Sequence, residues 1–239
     1  MKEMNPLSHL RRWVCLQSSV LLVVSIAGLA DPSTSPSEIK VLPGFEVSVA
    51  AASPLVDYPM MACLDDKGRL YIAESDGRNL TTREEIEKER PRFVRRLVDQ
   101  DGDGVYDTST IFAGEMTMPE GGLWHQGALY IISAPYLWRL EDLDDDGVAD
   151  KREKILGSME FDGRANQHGP YLGPNGRLYF TGGHFGYDLI GSDGSRSGVS
   201  RAAGVFSCWP DGRDVRVEGQ GGVNPVDVVF TPNGDMLST

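Results

Sequence analysis

Short apolar runs alternate with polar, glycine-bearing turns along most of the chain, and one of these patterns repeats. Gly68-Arg-Leu-Tyr71 recurs as Gly127-Ala-Leu-Tyr130, Gly176-Arg-Leu-Tyr179 and Gly234-Asp-Met-Leu237, at steps of 59, 49 and 58 residues. An apolar segment and a turn precede each: Met61–Leu64 then Asp-Asp-Lys, Gly-Leu-Trp124 then His-Gln, Pro170–Leu172 then Gly-Pro-Asn, and Val226–Phe230 then Thr-Pro-Asn. Asx-Gly and Asp-Lys-Gly turns between such runs predict β-hairpins. Further strand-like pairs follow each repeat: Arg92–Val98 with Thr110–Ala113, Tyr136–Leu140 with Lys154–Leu156, and Gly204–Trp209 with Val215–Val217. Four strands per unit at this period predict an all-β fold of the β-propeller type. Glycine turns each hairpin, and the tyrosine ring is expected to pack between neighbouring blades. One insertion, Thr81–Arg90, reads as helix, with Thr81 and Thr82 three residues before Glu84 and Glu85 in a capping-box arrangement and Pro91 as the stop.

Three full units and the start of a fourth are too few to close a ring, since propellers have about four to eight blades. The expectation is a partial ring, the N-terminal part of a longer propeller, spanning residues 41–239.

Two acidic loops carry the clearest chemistry. Asp99-Gln-Asp101-Gly-Asp103-Gly104-Val105-Tyr-Asp107 is matched 43 residues on by Asp142-Leu-Asp144-Asp-Asp146-Gly147-Val148-Ala-Asp150. Carboxylates at positions 1, 3, 5 and 9 with Gly at 6 fit a Ca²⁺ loop in which oxygens alternate round the ion. The Val105 and Val148 carbonyls would be the backbone ligands. Position 12 is Glu153 in the second loop and Thr110 in the first, so the first is expected to bind more weakly. Strand-like flanks place each loop between two strands of one blade, unlike the helices of an EF-hand, and this puts Glu153 in question. The alternative reading is a pair of solvated Asp-Gly turns.

Composition narrows the function. A net charge of −12 argues against a nucleic-acid partner, which requires clustered Lys and Arg, and 40% hydrophobic residues give ample core. Lys2, Arg11 and Arg12 precede an apolar run, Val20–Ala30, too short for the ~20 residues of a membrane span. With Gly28 and Ala30 this reads as a secretory signal peptide over residues 1–30, followed by a flexible linker over 31–40. An uncleaved anchor is the alternative if Trp13–Cys15 join the run. Export would place the protein in the periplasm or at the cell surface. Cys63 and Cys208 lie in apolar strand-like stretches, where buried free thiols are common, although an oxidising compartment would permit a bridge.

The signal segment, Leu42-Pro-Gly-Phe-Glu-Val47, the Gly-Arg-Leu-Tyr repeats, the twin Asp loops and Asn166-Gln-His-Gly-Pro170 together resemble the membrane-bound dehydrogenase propellers of planctomycetes and their relatives. These are similar to quinoprotein glucose and sorbosone dehydrogenases, six-bladed propellers that use pyrroloquinoline quinone (PQQ) and Ca²⁺. The resemblance covers Val41–Thr239, about the first half of such a propeller. It implies a sugar or alcohol substrate, hydride transfer from a hydroxyl-bearing carbon to the quinone, and a cytochrome electron acceptor in downstream sequence. It also points to His168 as general base, since imidazole titrates near neutrality. His168 stands about three residues closer to Gly-Pro than the family's base does. The alternative is a loop histidine bonded to a neighbouring blade's backbone. Asn166, Gln167 and His184 are candidates to line the cofactor pocket, while His125 reads as a turn residue. Two other functions stand beside this one. The first is a non-catalytic propeller binding carbohydrate or protein. The second is a hydrolase or lactonase with a central metal, which is disfavoured because the acidic clusters lie in hairpins and not at strand starts facing the axis.

Overall fold

A computed structural model describes residues 39–162 and 167–239. The signal-peptide and most of the linker assignments, and Asn166, lie outside the described residues.

The first blade is a four-stranded antiparallel sheet of β1 (Pro59–Leu64), β2 (Leu70–Ser75), β3 (Arg92–Val98) and β4 (Thr108–Met116), in that spatial order. The second runs β5 (Leu123–His125), β6 (Ala128–Ser133), β7 (Tyr136–Glu141) and β8 (Lys151–Met159). The third places β9 (Gln167–Leu172), β10 (Leu178–Gly182), β12 (Gly204–Cys208) and β13 (Arg216–Gln220) side by side, and β14 (Val228–Phe230) pairs with β15 (Met236–Ser238) as the first hairpin of a fourth. The first strands β1, β5, β9 and β14 approach one another in succession, so they line the inner side of the arc. The fold is a β-propeller with three blades and the start of a fourth, as the repeat predicted.

Local chemistry explains the hairpins. In the β1–β2 turn, Asp65 Oδ1 accepts from the Lys67 and Arg69 amides at 2.9 Å each. Asn175 repeats this role between β9 and β10, accepting from Arg177 N–H at 3.1 Å. The repeat glycine has positive φ at all four turns, +80° at Gly68, +78° at Gly127, +81° at Gly176 and +88° at Gly234. Only glycine adopts that backbone without steric cost. The inserted helix α1 (Arg83–Glu89) carries the anticipated capping box, built from Thr82 and Glu85.

Packing between blades is apolar and repeats. Tyr71 lies in the first seam, its ring edge-on to Phe112 at 4.9 Å and stacked on Trp124 at 5.3 Å, among Leu129, Ile131 and Leu140 of the next blade. Tyr130 joins the second seam with Leu178, Phe180 and Phe206, and Tyr179 meets Phe230 at 4.8 Å in the third. The expectation for the repeat tyrosines therefore holds at every seam. Cys63 and Cys208 are free thiols in different blades, each raised to about 12 by burial.

Two features differ from expectation. The outermost strands are longer than the sequence suggested, nine residues in both β4 and β8. A short strand, β11 (Tyr187–Ile190), leaves the third unit and pairs with β8, giving the second blade a fifth strand. Tyr187 anchors this excursion, with its ring 4.4 Å from Phe206 of the third blade.

Truncating a seam tyrosine should cost far more than truncating an exposed one. Tyr71→Ala is expected to lose roughly 3 kcal/mol, and Tyr58→Ala, whose side chain is exposed, less than about 0.5 kcal/mol. Denaturant unfolding of the two variants checks the difference.

Candidate functional site

The inner strands begin at one end of the blades, and His168 stands there on β9. Its backbone N–H donates to Thr181 Oγ1 at 3.2 Å, and His168 is paired with Thr181 across the β9–β10 register. The ring is buried, and its Nε2 has no hydrogen-bond partner among the described residues. Burial pushes the imidazole below its ordinary range, with Asp227 opposing from the approach to β14. The ring is therefore neutral near pH 7, with a nitrogen uncommitted.

Gln167 is beside it, opposite Gly182, its Nε2 donating to Glu160 O at 2.6 Å while its Oε1 is buried and unpartnered among the described residues. His184 lies two residues beyond the end of β10 at the same end of the blade. It is exposed, stacked on Phe185 at 4.6 Å, with Nδ1 3.3 Å from Val223 O. Thus Gln167, His168 and His184 gather at one end of the third blade. His125 is at the opposite end of its strand, its ring 6.2 Å from Tyr130.

Sequence reasoning missed Glu120. Its N–H donates to Ile132 O at 2.9 Å, and Ile132 holds in the second blade the place that Thr181 holds in the third, counted from the Gly-x-Leu-Tyr leucines. Glu120 is therefore the positional counterpart of His168 in the adjacent blade. The segments touch: Gly121 packs so closely on Gly169 that an added Cβ would collide with the Gly169 carbonyl. Burial raises the Glu120 carboxyl to about 7, opposed by Arg92, whose own pKa burial lowers. A carboxylate thus does stand at an inner strand start, although the acidic clusters do not. The clue in the sequence was Glu-Gly-Gly ahead of a strand, hidden by the two-residue hairpin that shortens this repeat.

The acidic loops join β3 to β4 and β7 to β8, at the same place in successive blades. Both are framed alike. Asp99 Oδ2 accepts from Gly104 N–H and Asp142 Oδ2 from Gly147 N–H, each at 2.9 Å. Asp103 and Asp146 accept from Val105 and Val148 N–H at 2.8 Å, and Asp107 and Asp150 from Gln100 and Leu143 N–H at 2.6 Å. Carboxylate oxygens of Asp99, Asp101 and Asp107 lie within 4.8 Å of one another, as do those of Asp142, Asp144 and Asp146. Asp103 and Asp150 are outside these groups. Glu153 is on β8, 3.5 Å from Lys151 and 4.0 Å from Arg139.

Their surroundings differ. The second loop is docked on the first blade: Arg96 Nη1 is 3.0 Å from Asp142 Oδ2, and Lys67 and Arg69 both pair with Asp145. Those cations hold Asp145 down at about 2. Gly147 faces the Arg96 guanidinium with no room for a Cβ, and Thr110 Oγ1 donates to its carbonyl at 3.3 Å. Asp142 Oδ1 is buried without a partner among the described residues. The first loop has no such cationic cover among the described residues; its carboxylates are bonded to its own backbone.

These features define a propeller-class protein with polar inner strand starts and acidic outer hairpins. The chain belongs to a family known as Domain of unknown function (DUF7133), whose model matches residues 31–237. No curated protein matches it in sequence. Among solved structures it is similar to the holo PQQ domain of pyranose dehydrogenase from Coprinopsis cinerea, at TM-score 0.57 and 14% identity over 83% of this chain and 47% of that one. It also resembles, at TM-score 0.40 and 13% identity, a catalytically inactive virginiamycin B lyase from Staphylococcus aureus in complex with quinupristin, over 79% of this chain and 71% of that one. The chain thus spans about half the length of the dehydrogenase domain. No helix among the described residues is long and apolar enough to cross a membrane.

Because Glu120 keeps its proton in the fold up to about pH 7 but loses it near 4.5 when unfolded, the folded state binds the extra proton between these values. Stability should fall as pH rises through that window, by an amount on the order of 3 kcal/mol at full effect. Glu120→Gln is expected to remove this fall. Denaturation midpoints for both proteins from pH 4.5 to 8 test it; parallel profiles would contradict it.

Proposed function

We propose that this chain is part of an exported quinoprotein-type dehydrogenase propeller that oxidises a hydroxyl-bearing carbon of a sugar or alcohol. The observation that carries this reading is His168: a buried, neutral imidazole at an inner strand start whose Nε2 is uncommitted among the described residues. Similarity to the PQQ domain of pyranose dehydrogenase supports it at the level of fold. The donors are compatible with a polar planar cofactor, since His168 Nε2 and Gln167 Oε1 are buried polar atoms still lacking partners among the described residues. His168, Gln167 and His184 would hold the group. When bound, PQQ supplies a two-electron acceptor for hydride.

The chain's own contribution is proton handling and exclusion of water. His168 Nε2 accepts the proton of the substrate hydroxyl as the C–H bond breaks, and its neutrality near pH 7 leaves it able to do so. The ring is buried, and Thr181 holds its backbone. Glu120, at the matching position of the adjacent inner strand, would act as a second titrating group, protonated at mildly acidic pH.

Ca²⁺ completes the proposal as a structural ion in the acidic loops, whose carboxylates are already gathered. Arg96 competes for Asp142 in the second loop. The first loop should therefore bind more tightly, the reverse of what position 12 alone suggests.

Calorimetric titration should show Ca²⁺ uptake, weakened more by Asp101→Asn than by Asp144→Asn. Absence of heat and of any thermal shift with Ca²⁺ would rule the ion out. For catalysis, the native full-length protein supplied with PQQ and Ca²⁺ should reduce an electron-acceptor dye with an aldose or alcohol. His168→Gln should lower kcat by roughly 100-fold or more with little change in thermal stability. Full activity in that variant would remove His168 from the reaction.

A further inference from the structure

We propose that the cavity between α1 and the outer strands β4, β7 and β8 binds a sugar acid, a polyhydroxylated ring bearing a carboxylate. The cavity shares no residue with the group formed by Gln167, His168 and His184, and the proposal does not depend on the redox reading.

The site is built by an insertion. In the second unit only Ala134 and Pro135 separate β6 from β7, whereas the first unit places α1 between β2 and β3. Ile86, the buried residue of α1, packs with Met118, Ala134 and Phe161 and so docks the helix on the second blade. Arg83, Glu87 and Arg90 then fall at helical spacing along one side of it. With β4, β7 and β8 they line a cavity of about 350 Å³, within the range of small-molecule pockets.

The charge in this cavity is opposite to that of the chain. Arg83, Arg90, Arg152 and Lys154 face it against two carboxylates, Glu87 and Glu115, in a chain of net charge −12. Arg83 is already paired, with Glu87 at 2.8 Å and with Glu160. The other three have carbonyls or rings for neighbours, and no carboxylate partner among the described residues. Arg90 Nε donates to Glu87 O at 3.3 Å and Arg152 Nη1 to Gly114 O at 2.9 Å. Lys154 Nζ stands 4.0 Å from the centroid of the Tyr136 ring and 5.4 Å from that of Trp138. Carbonyls and aromatic faces orient a cation without cancelling its charge, so the attraction for an anion persists. A carboxylate suits the guanidinium fork.

Two backbone conformations point the same way. Arg90 (φ +42°) and Glu115 (φ +56°) are two of the five non-glycine residues with positive φ among the described residues, and both line this cavity. Arg90 caps the C-terminus of α1, and Glu115 lies where β4 slips register against β3. Glycine is the ordinary choice at both kinds of place. Charged side chains held there at a steric cost mark a ligand clamp.

The mixed lining selects the ligand. Trp138 Nε1–H donates to Ser133 O at 3.1 Å, and Tyr136 packs so closely on Gly157 that a Cβ there would strike its ring. The two rings meet at 87° with centroids 5.7 Å apart, a fixed apolar corner for the C–H groups of a sugar. Glu87 and Glu115 accept hydroxyl hydrogens but repel phosphate and sulfate. A neutral sugar would leave three cations unmet. A sugar acid satisfies cations, carboxylates and rings together.

Calorimetric titration of the native full-length protein with D-glucuronate, D-glucose and sodium sulfate tests this. Glucuronate should bind, with a change in tryptophan fluorescence, roughly tenfold or more tighter than glucose or sulfate. Lys154→Met, which keeps an unbranched apolar stem against the rings, should weaken glucuronate by roughly tenfold or more. Arg90→Gly should do the same while the melting temperature holds or rises, because glycine relieves the left-handed cap. His168→Gln should leave the affinity unchanged. No uptake of glucuronate would overturn the proposal. So would equal affinity for glucose or for sulfate, or affinity lost in His168→Gln and kept in Lys154→Met.

Discussion

A blade of this protein cannot bury both of its faces, and everything else follows from that constraint. The second strands β2, β6 and β10 are apolar and almost wholly buried. One face of each packs on the blade or segment before it and the other on the blade that follows. A Tyr ring, a Leu from the Gly-x-Leu-Tyr unit and a bulged residue of the previous outer strand meet at the first and second seams. At ~25 cal/mol per Å² of apolar area, such seams are the main source of stability in a sheet assembly of this kind. Removing one blade leaves the next with an uncovered face, which is why blades are stable only in series.

The same constraint sets the polar site. Packing the outer parts of the blades against one another brings the inner strands together, and Gly121 lies directly against Gly169 there. Side chains are excluded there, so the residues immediately before, Glu120 and His168, carry the polar groups into the crowded inner rim. Burial then acts oppositely on the two. It raises the carboxyl and lowers the imidazole, so both are neutral over an interval of mildly acidic pH.

The parts of this arrangement legible in the sequence are those with a local cause. Gly68, Gly127, Gly176 and Gly234 announce hairpins because the turn demands positive φ at that residue. Thr82 and Glu85 announce a helix start because both partners lie within one turn. The seam tyrosines were legible through the repeat. By contrast, β11 is four residues long and pairs with a strand nearly thirty residues earlier, so no local pattern marks it. Glu120 was hidden because the β5–β6 hairpin is shorter than its counterparts, which breaks the alignment with His168 in sequence while the strand register preserves it. The links from Arg96 and Lys67 to the second acidic loop cross a seam and leave no trace in spacing.

Those crossing links show how similar local sequence acquires different chemistry. Asp99 and Asp142 begin loops of the same length, with the same glycine and the same bond from its amide to Oδ2. Yet the Asp142 side chain is buried against a guanidinium, whereas Asp99 has no cation against it among the described residues and is bonded within its own loop. The difference originates in the neighbour and in Asp145, which stands where the first loop has Gly102. β3 offers Arg96, and the β1–β2 hairpin offers Lys67 and Arg69, to the loop of the second blade; the segment before β1 offers alanines to the loop of the first. Thr110 makes the point again. Counted along its own loop it is a poor metal ligand at position 12, but across the seam its hydroxyl braces Gly147 of the next loop. A position in this fold is therefore defined by the blade before it as much as by the strand that carries it, and a repeat read along one chain captures only half of each site.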